Sequence, residues 1–541
     1  MQKSVKRSLA IFLSLIICII AIPVTLVSAQ EASSGGLSYY NTGSGITITG
    51  CDEKLKEVVI PDMIGDNPVK SIETQAFIGC TEITSITLGA NLTSIGNGAF
   101  APCISLENIF VDENNDRFSE IDGVLYNFDQ TRLVAHPASK VQETYVIPDT
   151  VTEIMPRAFA WCGSIDEIII PDSVTTIGYM AFLSCSSLTS IEVPDSVVSL
   201  GNEAFSWNEN LKEIKLSQNI ESIGDRMFIY CSNLETIEIP VGVKTIGREA
   251  FAYCESLEDI IIPDNVESIG DRIFSYCFNL KNITLSNNIE RIGDRAFYFC
   301  DKLETIDIPV GVTEIADYAF ASCASLAELS IPEGVVSIGA NAFAWCVSLT
   351  SLEIPTSTQK IGDSAFTRCT GLTEIVIPEG VVSIGSFAFS SCKNIESIVI
   401  SNTVEKIGEY AFYSCDNVSS IEVPSSVTDI GFRAIGYGYF LEGKKWAQAV
   451  YPNFAIIGDK DTNAEAYAVA NGILFDGIYE KGDPNGDGVT DIADVINLQK
   501  VLVGTAELTP NQVVASDLNN DGKIDIFDLI IMKKMITQAQ D

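Results

Sequence analysis

The 541-residue sequence has little histidine and few basic residues, and beyond its N-terminus it has no long apolar run. His136 is the one histidine, which nearly excludes catalysis built on several histidines as metal ligands or as paired acids and bases. Lysine and arginine total 33 against 72 acidic residues, and the formal net charge of −39 repels nucleic acid and anionic membranes. The hydrophobic content of 46% excludes a disordered polymer and predicts large buried cores.

The apolar run at the N-terminus has the layout of an export signal. Basic residues at positions 3, 6 and 7 precede an apolar stretch over 9–22, and small residues ending at Ala29 offer a cleavage site. An uncleaved membrane anchor is the alternative, because the run with its flank approaches the length that spans a bilayer. Pro23 favours cleavage, so residues 1–29 are predicted to be a signal peptide. We expect a secreted protein with no stable membrane insertion after cleavage.

A 23-residue repeat covers most of the chain. Cysteines recur at this step between positions 162 and 415, with Asn208 at the one missing position, and phenylalanines recur between 159 and 412. Two earlier copies bring the number to fourteen, each close to I-P-x-x-V-x-x-I-G-x-x-A-F-x-x-C-x-x-L-x-x-I. A unit of this size cannot bury its own apolar face, so neighbouring units must stack into a solenoid.

Each repeat is predicted to contain a strand and a short turn of helix. The segment 188–193 alternates as a strand does and Pro194 closes it, whereas the spacing of apolar residues over 250–254 fits one helical turn. Gly247 is expected to permit the corner between the two. Stacked strands step by about 4.8 Å, so fourteen repeats predict a body roughly 65 Å long.

The repeat motif resembles that of the BspA-like bacterial surface proteins, a variant of the leucine-rich repeat family, over roughly residues 55–440. The resemblance implies a curved solenoid that serves adhesion or binding and rarely chemistry. We therefore expect no catalytic residues and no enzymatic activity.

The array is interrupted once and flanked by atypical segments. Residues 104–147 break the period, and the pattern over 121–126 and 132–135 predicts an inserted hairpin. His136 follows this hairpin and is expected at the surface. The N-terminal segment or cap is predicted at 30–54, and the C-terminal cap with its linker at 441–481, including a helix over 464–471 that ends at Gly472.

Fifteen cysteines in an exported protein would ordinarily indicate disulfides. In a stacked repeat, however, the Cβ vectors of neighbouring cysteines point the same way, which is poor disulfide geometry. Asn208 can replace a buried thiol that hydrogen-bonds the adjacent loop, but it cannot replace a half-cystine. We expect buried free thiols, and stacked disulfides are the alternative.

Two rows of side chains are candidate binding surfaces of the solenoid. An aromatic row before the repeat cysteine could stack sugar rings or a partner's side chains, and packing between turns is the alternative. An acidic row on the strands is expected to be a solvated or binding face rather than a catalytic pair. The aromatic row is Trp161, Trp207, Tyr230, Tyr253, Tyr276, Phe299 and Trp345, and the acidic row is Glu192, Glu238, Asp307, Glu353 and Glu422.

Two calcium-loop patterns close the chain, each leading into an apolar helix. Ca²⁺ takes six to eight oxygens, here expected from loop positions 1, 3 and 5, the carbonyl of 7, a water held by 9, and a carboxylate at 12. The predicted ligands are Asp483, Asn485, Asp487, Val489, Asp491 and Asp494, then Asp517, Asn519, Asp521, Lys523, Asp525 and Asp528. The pattern predicts a small all-α domain with two EF-hand-like loops that binds two Ca²⁺ ions.

These loops depart from ordinary EF-hands, because Gly482 directly precedes the first loop and aspartate closes both. With those departures residues 482–541 resemble a type I dockerin. The resemblance implies docking onto a cohesin of a cellulosome scaffoldin through loop positions 10 and 11 and the following helices; a plain calcium-stiffened tail is the alternative. Carried onto this chain, the contacts are Ile492, Ala493, Lys500, Ile526, Phe527, Lys533 and Lys534.

The leading hypothesis is a secreted, non-catalytic binding or adhesion component that reaches the cell surface through a cellulosome-type complex. Its solenoid would present a surface to a protein or carbohydrate ligand. The alternatives are a cellulosome-borne polysaccharide-degrading enzyme, because dockerins mostly accompany glycoside hydrolases, and a host-directed adhesin or protease-regulating binder. The segments outside the array are too short for a catalytic domain, which favours the first hypothesis.

Overall fold

The computed structural model describes residues 32–442 and 445–538. The predicted signal peptide, 1–29, lies outside the described residues. Across the part of the chain that is described, no helix combines the length and the apolar character needed to cross a bilayer. The repeats form the expected solenoid, and a small helical region follows it.

Most repeats contribute two strands rather than the one predicted, so the solenoid carries two rows of parallel strands; at Glu353 the long-strand row is reduced to a single bridge to Ser330. Partners are one repeat apart: Ile191 pairs with Ile214 in the long-strand row, and Ile223 with Ile246 in the short-strand row. The short strands precede the glycine of the motif. They were not predicted, because most of them have two residues, which are too few to show the alternation of a strand.

The long-strand row is Glu57–Ile60, Ser85–Leu88, Asn108–Val111, Gln142–Val146, Ile165–Ile169, Ser190–Glu192, Glu213–Lys215, Thr236–Ile237, Asp259–Ile261, Asn282–Thr284, Thr305–Asp307, Glu328–Ser330, Glu374–Ile377, Ser397–Ile400, Ser420–Glu422, Ala455–Gly458 and Leu474–Gly477. The short-strand row is Asn67–Ile72, Ser94–Ile95, Arg132–Ala135, Glu153–Ile154, Thr176–Ile177, Ser199–Leu200, Ser222–Ile223, Thr245–Ile246, Ser268–Ile269, Arg291–Ile292, Glu314–Ile315, Ser337–Ile338, Lys360–Ile361, Ser383–Ile384, Lys406–Ile407 and Asp429–Ile430.

The segment predicted as a short turn of helix is a chain of tight turns. Ala160 N–H donates to the Arg157 carbonyl three residues back, but Phe159 N–H donates to Ala181 of the next repeat. Arg157 and Trp161 have left-handed backbone angles, φ 62° and 65°, which a regular helix excludes. Alternate N–H groups therefore bond the neighbouring repeat, so this third side of the solenoid is also held by hydrogen bonds between repeats.

The glycine of the motif is required for space. A Cβ on Gly247 would lie 2.5 Å from the backbone nitrogen of Asp225 in the preceding repeat, closer than real Cβ atoms approach. The residue expected to permit a corner thus permits the backbones of two repeats to touch.

Both ends of the solenoid are closed by atypical elements. At the N-terminus, Ala32–Ser34, Leu37–Asn41 and Ile46–Cys51 form an antiparallel meander, and Ile46 pairs in parallel with Val69; Met63–Ile64 adds a short hairpin. At the C-terminus, the antiparallel pair Tyr437–Glu442 and Lys445–Val450 precedes the last two long-row strands. Helix α1, Asn463–Asn471, lies between those strands and ends at Gly472 with φ 66°, as the sequence predicted.

The helical region after the solenoid has its own small core. Its helices are α2 (Ile492–Leu502), α3 (Pro510–Ser516) and α4 (Ile526–Gln538). The core side chains are Val495, Leu498, Leu529 and Met532. The N-terminus of α3 meets the solenoid cap, where the hydroxyl of Thr509 donates to buried Asp476.

Stacked phenylalanines form the centre of the solenoid. The rings from Phe159 to Phe412 are almost completely buried, with successive centroids 5.1–6.0 Å apart. Strands Phe118–Ile121, Val124–Asn127 and Arg132–Ala135 form an antiparallel meander at the insertion, one strand more than the predicted hairpin. The buried apolar residues divide into two clusters there.

The prediction that His136 lies at the surface is wrong. Its side chain is 4% exposed, and its ring stacks on Phe159 with centroids 5.3 Å apart. His136 N–H donates to the Ala158 carbonyl, as Phe159 N–H does to Ala181. His136 directly follows the last strand of the insertion and occupies the phenylalanine position of the repeat. It lies 23 residues before Phe159, so the spacing in the sequence already indicated this position.

Burial lowers the pKa of His136 to about 4. The imidazole is therefore neutral in the folded chain, whereas an unfolded histidine takes up a proton below about 6.5. Because the unfolded state binds the extra proton between these values, stability must fall as the pH drops through this window, by up to about 3 kcal/mol.

We expect His136→Phe to keep the stack on Phe159 and to remove this part of the pH dependence. Urea unfolding gives the free energy of unfolding of both proteins at pH 7 and at pH 4.5. The loss of stability on acidification is then compared between the two proteins, so that the contribution of the carboxylates they share cancels. An identical loss of stability on acidification in both proteins would contradict the prediction.

Candidate functional site

Three carboxylates converge in the first loop after the solenoid. Asp483, Asp487 and Asp494 each place an oxygen within 4.8 Å of the others. Backbone groups hold them: Gly488 N–H donates to Asp483 at 2.8 Å, and Asp491 N–H to Asp494 at 2.9 Å. Backbone N–H groups of the loop thus hold its acidic side chains close together.

This loop suits a hard cation. Burial raises the pKa of Asp494, and repulsion from Asp483 and Asp487 raises it further. A divalent ion among these oxygens would relieve the repulsion, and Ca²⁺ prefers oxygen ligands of this kind. The donor set therefore fits calcium.

The second loop repeats the hydrogen bonds of the first. Gly522 N–H donates to Asp517 at 2.9 Å, and Asp525 N–H to Asp528 at 2.9 Å. Within the described ranges, three carboxylates within 4.8 Å of each other occur at the first loop and at no other place. The shared backbone pattern indicates two copies of one loop structure.

The remaining predicted ligands divide by role. The amides of Asn485 and Asn519 donate to the aspartates at position 5, each at 3.0 Å. Val489 and Lys523 donate their N–H groups to the same aspartates, at 3.0 and 2.9 Å. At position 9 the aspartates accept from the first turns of the following helices, at 2.6 and 2.7 Å; these two are Asp491 and Asp525. The structure thus brings the aspartates at positions 1, 5 and 12 of the first loop together. The aspartate at position 9 instead contacts the first turn of helix α2.

The residues predicted to contact a cohesin are all exposed. Ile492 is 71% exposed, Ile526 54% and Phe527 60%. Ala493 and the three lysines of this set are exposed as well. Helices α2 and α4 pack on each other through the faces that carry the core side chains. The apolar residues next to the loops lie on the other faces and point outward.

Five residues of the aromatic row, from Trp207 to Phe299, form a continuous stack. Tyr253 lies 4.2 Å from Tyr230 and 4.5 Å from Tyr276, centroid to centroid, with nearly parallel planes. Trp207 and Phe299 extend the stack at its two ends. Trp161 packs beside Met180 and Leu183, and the guanidinium of Arg368 lies 4.0 Å over Trp345. Neighbouring rings therefore cover the faces of Tyr230, Tyr253 and Tyr276, which favours the packing interpretation for this part of the row, whereas Trp345 remains 47% exposed.

The repeat cysteines donate to the backbone of the preceding repeat. The Cys185 thiol lies 3.2 Å from the Phe159 carbonyl, and the contact recurs along the row. Asn208 makes the same contact, to Phe182 at 3.0 Å, and accepts from Cys185 N–H at 2.7 Å. Burial raises the pKa of Cys185 to about 12, so this thiol is not activated as a nucleophile.

The acidic row lies on the exposed side of the long strands. Glu192 pairs with Lys215 of the next repeat at 2.5 Å. Exposed Ile261, Val376 and Val399 occupy the same outward positions in other repeats. The surface alternates acidic and apolar patches along the solenoid.

Two family models match the chain. The BspA type leucine rich repeat region matches residues 49–129, 138–258, 244–344 and 336–442, and the dockerin type I domain matches 481–537. The comparison with curated proteins gives no match.

Solved structures similar to this chain include bacterial leucine-rich repeat proteins. One from Bacteroides ovatus is 25% identical, covering 73% of this chain and 94% of its own, with a TM-score of 0.43. A leucine rich cell surface protein from Faecalibacterium prausnitzii is 27% identical over 75% and 95%, with a TM-score of 0.40. The pneumococcal vaccine antigen PcpA is 19% identical over 84% and 99%, with a TM-score of 0.42.

Proposed function

The chain belongs to the BspA-type leucine-rich repeat family and ends in a type I dockerin domain, and from this we propose that it is a secreted, non-catalytic binding component of a cohesin-based surface complex. The dockerin binds two Ca²⁺ ions, one in each loop, and docks onto a cohesin of a scaffoldin. The solenoid remains free to present its outer surface to a second partner.

One observation carries the docking proposal. Exposed apolar pairs stand directly beside both aspartate loops, Ile492-Ala493 at the first and Ile526-Phe527 at the second. Exposed apolar residues that adjoin one another indicate an interaction site more than isolated ones do. Their backbone N–H groups begin helices α2 and α4, so the shape of each loop sets the position of its pair.

For the solenoid we propose a protein partner. The faces of the stacked rings Tyr230, Tyr253 and Tyr276 are covered, which weakens the case for a carbohydrate platform at the centre of the aromatic row. The mixture of apolar and acidic side chains on the long strands resembles a protein-binding surface more than a sugar site. The cavity beside His136 measures about 30 Å³, which is too small to hold a sugar ring.

The two halves of the dockerin present unequal contacts. Near-duplicate halves can offer either helix to a cohesin, related by a half-turn, provided that both contact pairs match. Here Phe527 corresponds to Ala493, and Lys533-Lys534 to Gln499-Lys500. Burying the additional ring contributes roughly 1.5 to 3 kcal/mol, which corresponds to more than tenfold in affinity. The second repeat therefore leads a single dominant orientation.

Phe527→Ala is expected to weaken cohesin binding by more than tenfold, and Ala493→Ser to change it little. Isothermal titration of the full chain against a panel of type I cohesin modules in calcium measures both. Failure of the unmodified chain to bind any cohesin would contradict the proposed function itself. Equal, small effects of the two substitutions would leave docking intact and show that both orientations are used.

A further inference from the structure

Two cysteines at the N-terminal end of the solenoid differ from the rest. Cys51 ends the strand Ile46–Cys51 and lies 29 residues before Cys80, outside the 23-residue register. The Sγ atoms of Cys51 and Cys80 are 2.9 Å apart. Two sulfurs this close are already nearer than an ordinary non-bonded contact.

The position of Cys80 in the array explains the contact. In the later repeats the thiol donates to the carbonyl at the phenylalanine position of the preceding repeat, as Cys103 does to Phe77 and Cys162 does to His136. Cys80 belongs to the first repeat, and the N-terminal cap precedes it in place of another repeat. Its thiol therefore meets Cys51, the last residue of the cap strand, both at the sulfur and at the carbonyl, 3.8 Å away.

This pair is also open to reagents from solvent. Cys51 is partly exposed, whereas Cys80 is 2% exposed and the cysteines from Cys103 to Cys415 are buried. A soluble oxidant can reach Cys51 in the folded chain, and Cys80 lies within reach behind it. The regular repeats lack this combination, because their thiols lie side by side in the core and face carbonyls.

We propose that Cys51 and Cys80 form a disulfide that fastens the N-terminal cap to the first repeat. The oxidant is a small-molecule disulfide, RSSR. The Cys51 thiolate attacks one of its sulfurs, forms the mixed disulfide Cys51–S–S–R and releases RS⁻. The Cys80 thiolate then attacks the Cys51 sulfur and displaces the second RS⁻. The two cysteines lose two electrons and two protons, and RSSR gains both to become two RSH.

The disulfide would protect the end of the solenoid that has no repeat to stack on. The cap strand Ile46–Cys51 covers the edge of the short-strand row by pairing with Asn67–Ile72. An unprotected strand edge invites pairing with other chains. A disulfide at the end of the cap strand keeps that edge covered even when the hydrogen bonds of the cap strand break transiently.

The test is a thiol count and a peptide map of the full chain after incubation with oxidised glutathione. In denaturant without reductant, we expect two thiols fewer than in the reduced protein. No Lys or Arg lies between Lys70 and Arg117, so trypsin leaves Cys80 and Cys103 on one peptide; cleavage after Glu82 separates them. Mass spectrometry should then show Cys51 linked to Cys80.

Matched variants distinguish this pair from random oxidation. Cys51→Ser should abolish the loss of two thiols, and Cys103→Ser should leave it unchanged. After proteolytic nicking between positions 52 and 70, the cap should stay attached on a non-reducing gel and be released by dithiothreitol. A full set of thiols after oxidation, or cross-links scattered among the buried cysteines, would overturn the proposal. Partial exposure of Cys51 makes its serine variant compatible with folding, and Cys51→Ala gives a second check.

Discussion

Chelation of calcium with EDTA is expected to abolish cohesin binding by the full chain. Asp483, Asp487 and Asp494 hold oxygens within 4.8 Å of one another, and without a cation their negative charges repel. The same loop positions Ile492 and Ala493, so a loop that loses its shape also loses the docking surface. Titration with a cohesin in calcium and then in EDTA measures the effect, and added calcium should restore binding.

Two aspartates of the first loop offer a matched pair for this prediction. Asp494 is fully buried among the converging carboxylates, whereas Asp491 accepts from the first turn of α2. Asp494→Asn should lower calcium affinity by more than tenfold. Asp491→Asn should have a much smaller effect, because asparagine is also a good N-cap residue.

The solenoid serves as the internal control. Its core is separate from the core of α2 and α4, so EDTA should leave its thermal unfolding unchanged. Cohesin binding that persists undiminished in EDTA would show that the apolar pairs do not depend on the loops for their position.

Asn208→Ala is expected to destabilise the solenoid by about 2 to 4 kcal/mol, one of the largest effects available from a single polar residue. The Asn208 side chain is completely buried, and its amide donates to the carbonyls of Phe182 and Phe205 at 3.0 and 2.7 Å. Its oxygen accepts from Cys185 N–H. Alanine would remove all three hydrogen bonds and leave a cavity. The N–H of Cys185 could then bond the Phe182 carbonyl, as the equivalent N–H does in other repeats, but the other lost bonds would not be replaced.

Asn208→Cys is the control for this prediction. The repeats on either side hold a thiol at this position that donates to the same type of carbonyl, at 3.2 and 3.1 Å. The substitution should therefore be nearly neutral in urea unfolding at equal protein concentration. If the alanine and cysteine variants lost stability equally, the hydrogen bonds of Asn208 would not be what holds this repeat.

How far each feature could be predicted depends on how local its cause is. The convergence of Asp483, Asp487 and Asp494 was predictable from a short motif, because the spacing of ligands in a metal loop is a property of a dozen consecutive residues. The C-cap at Gly472 was predictable for the same reason. The position of Asp491 against its helix was not, because an aspartate at position 9 satisfies both the metal pattern and the helix cap.

The sequence by itself determined that this chain is a stack of 23-residue units, since a unit too small to bury its own apolar face has no other way to do so. It also indicated buried thiols, through the single asparagine in their register. The contacts between neighbouring repeats were decided only by the tertiary structure. Backbone N–H groups that turn toward a neighbouring repeat replaced the expected helical turn, and rings brought within 4.2–4.5 Å covered one another's faces. The Cys51–Cys80 contact likewise depends on where a non-repeating cap lands on the first repeat, and no period in the sequence encodes that placement.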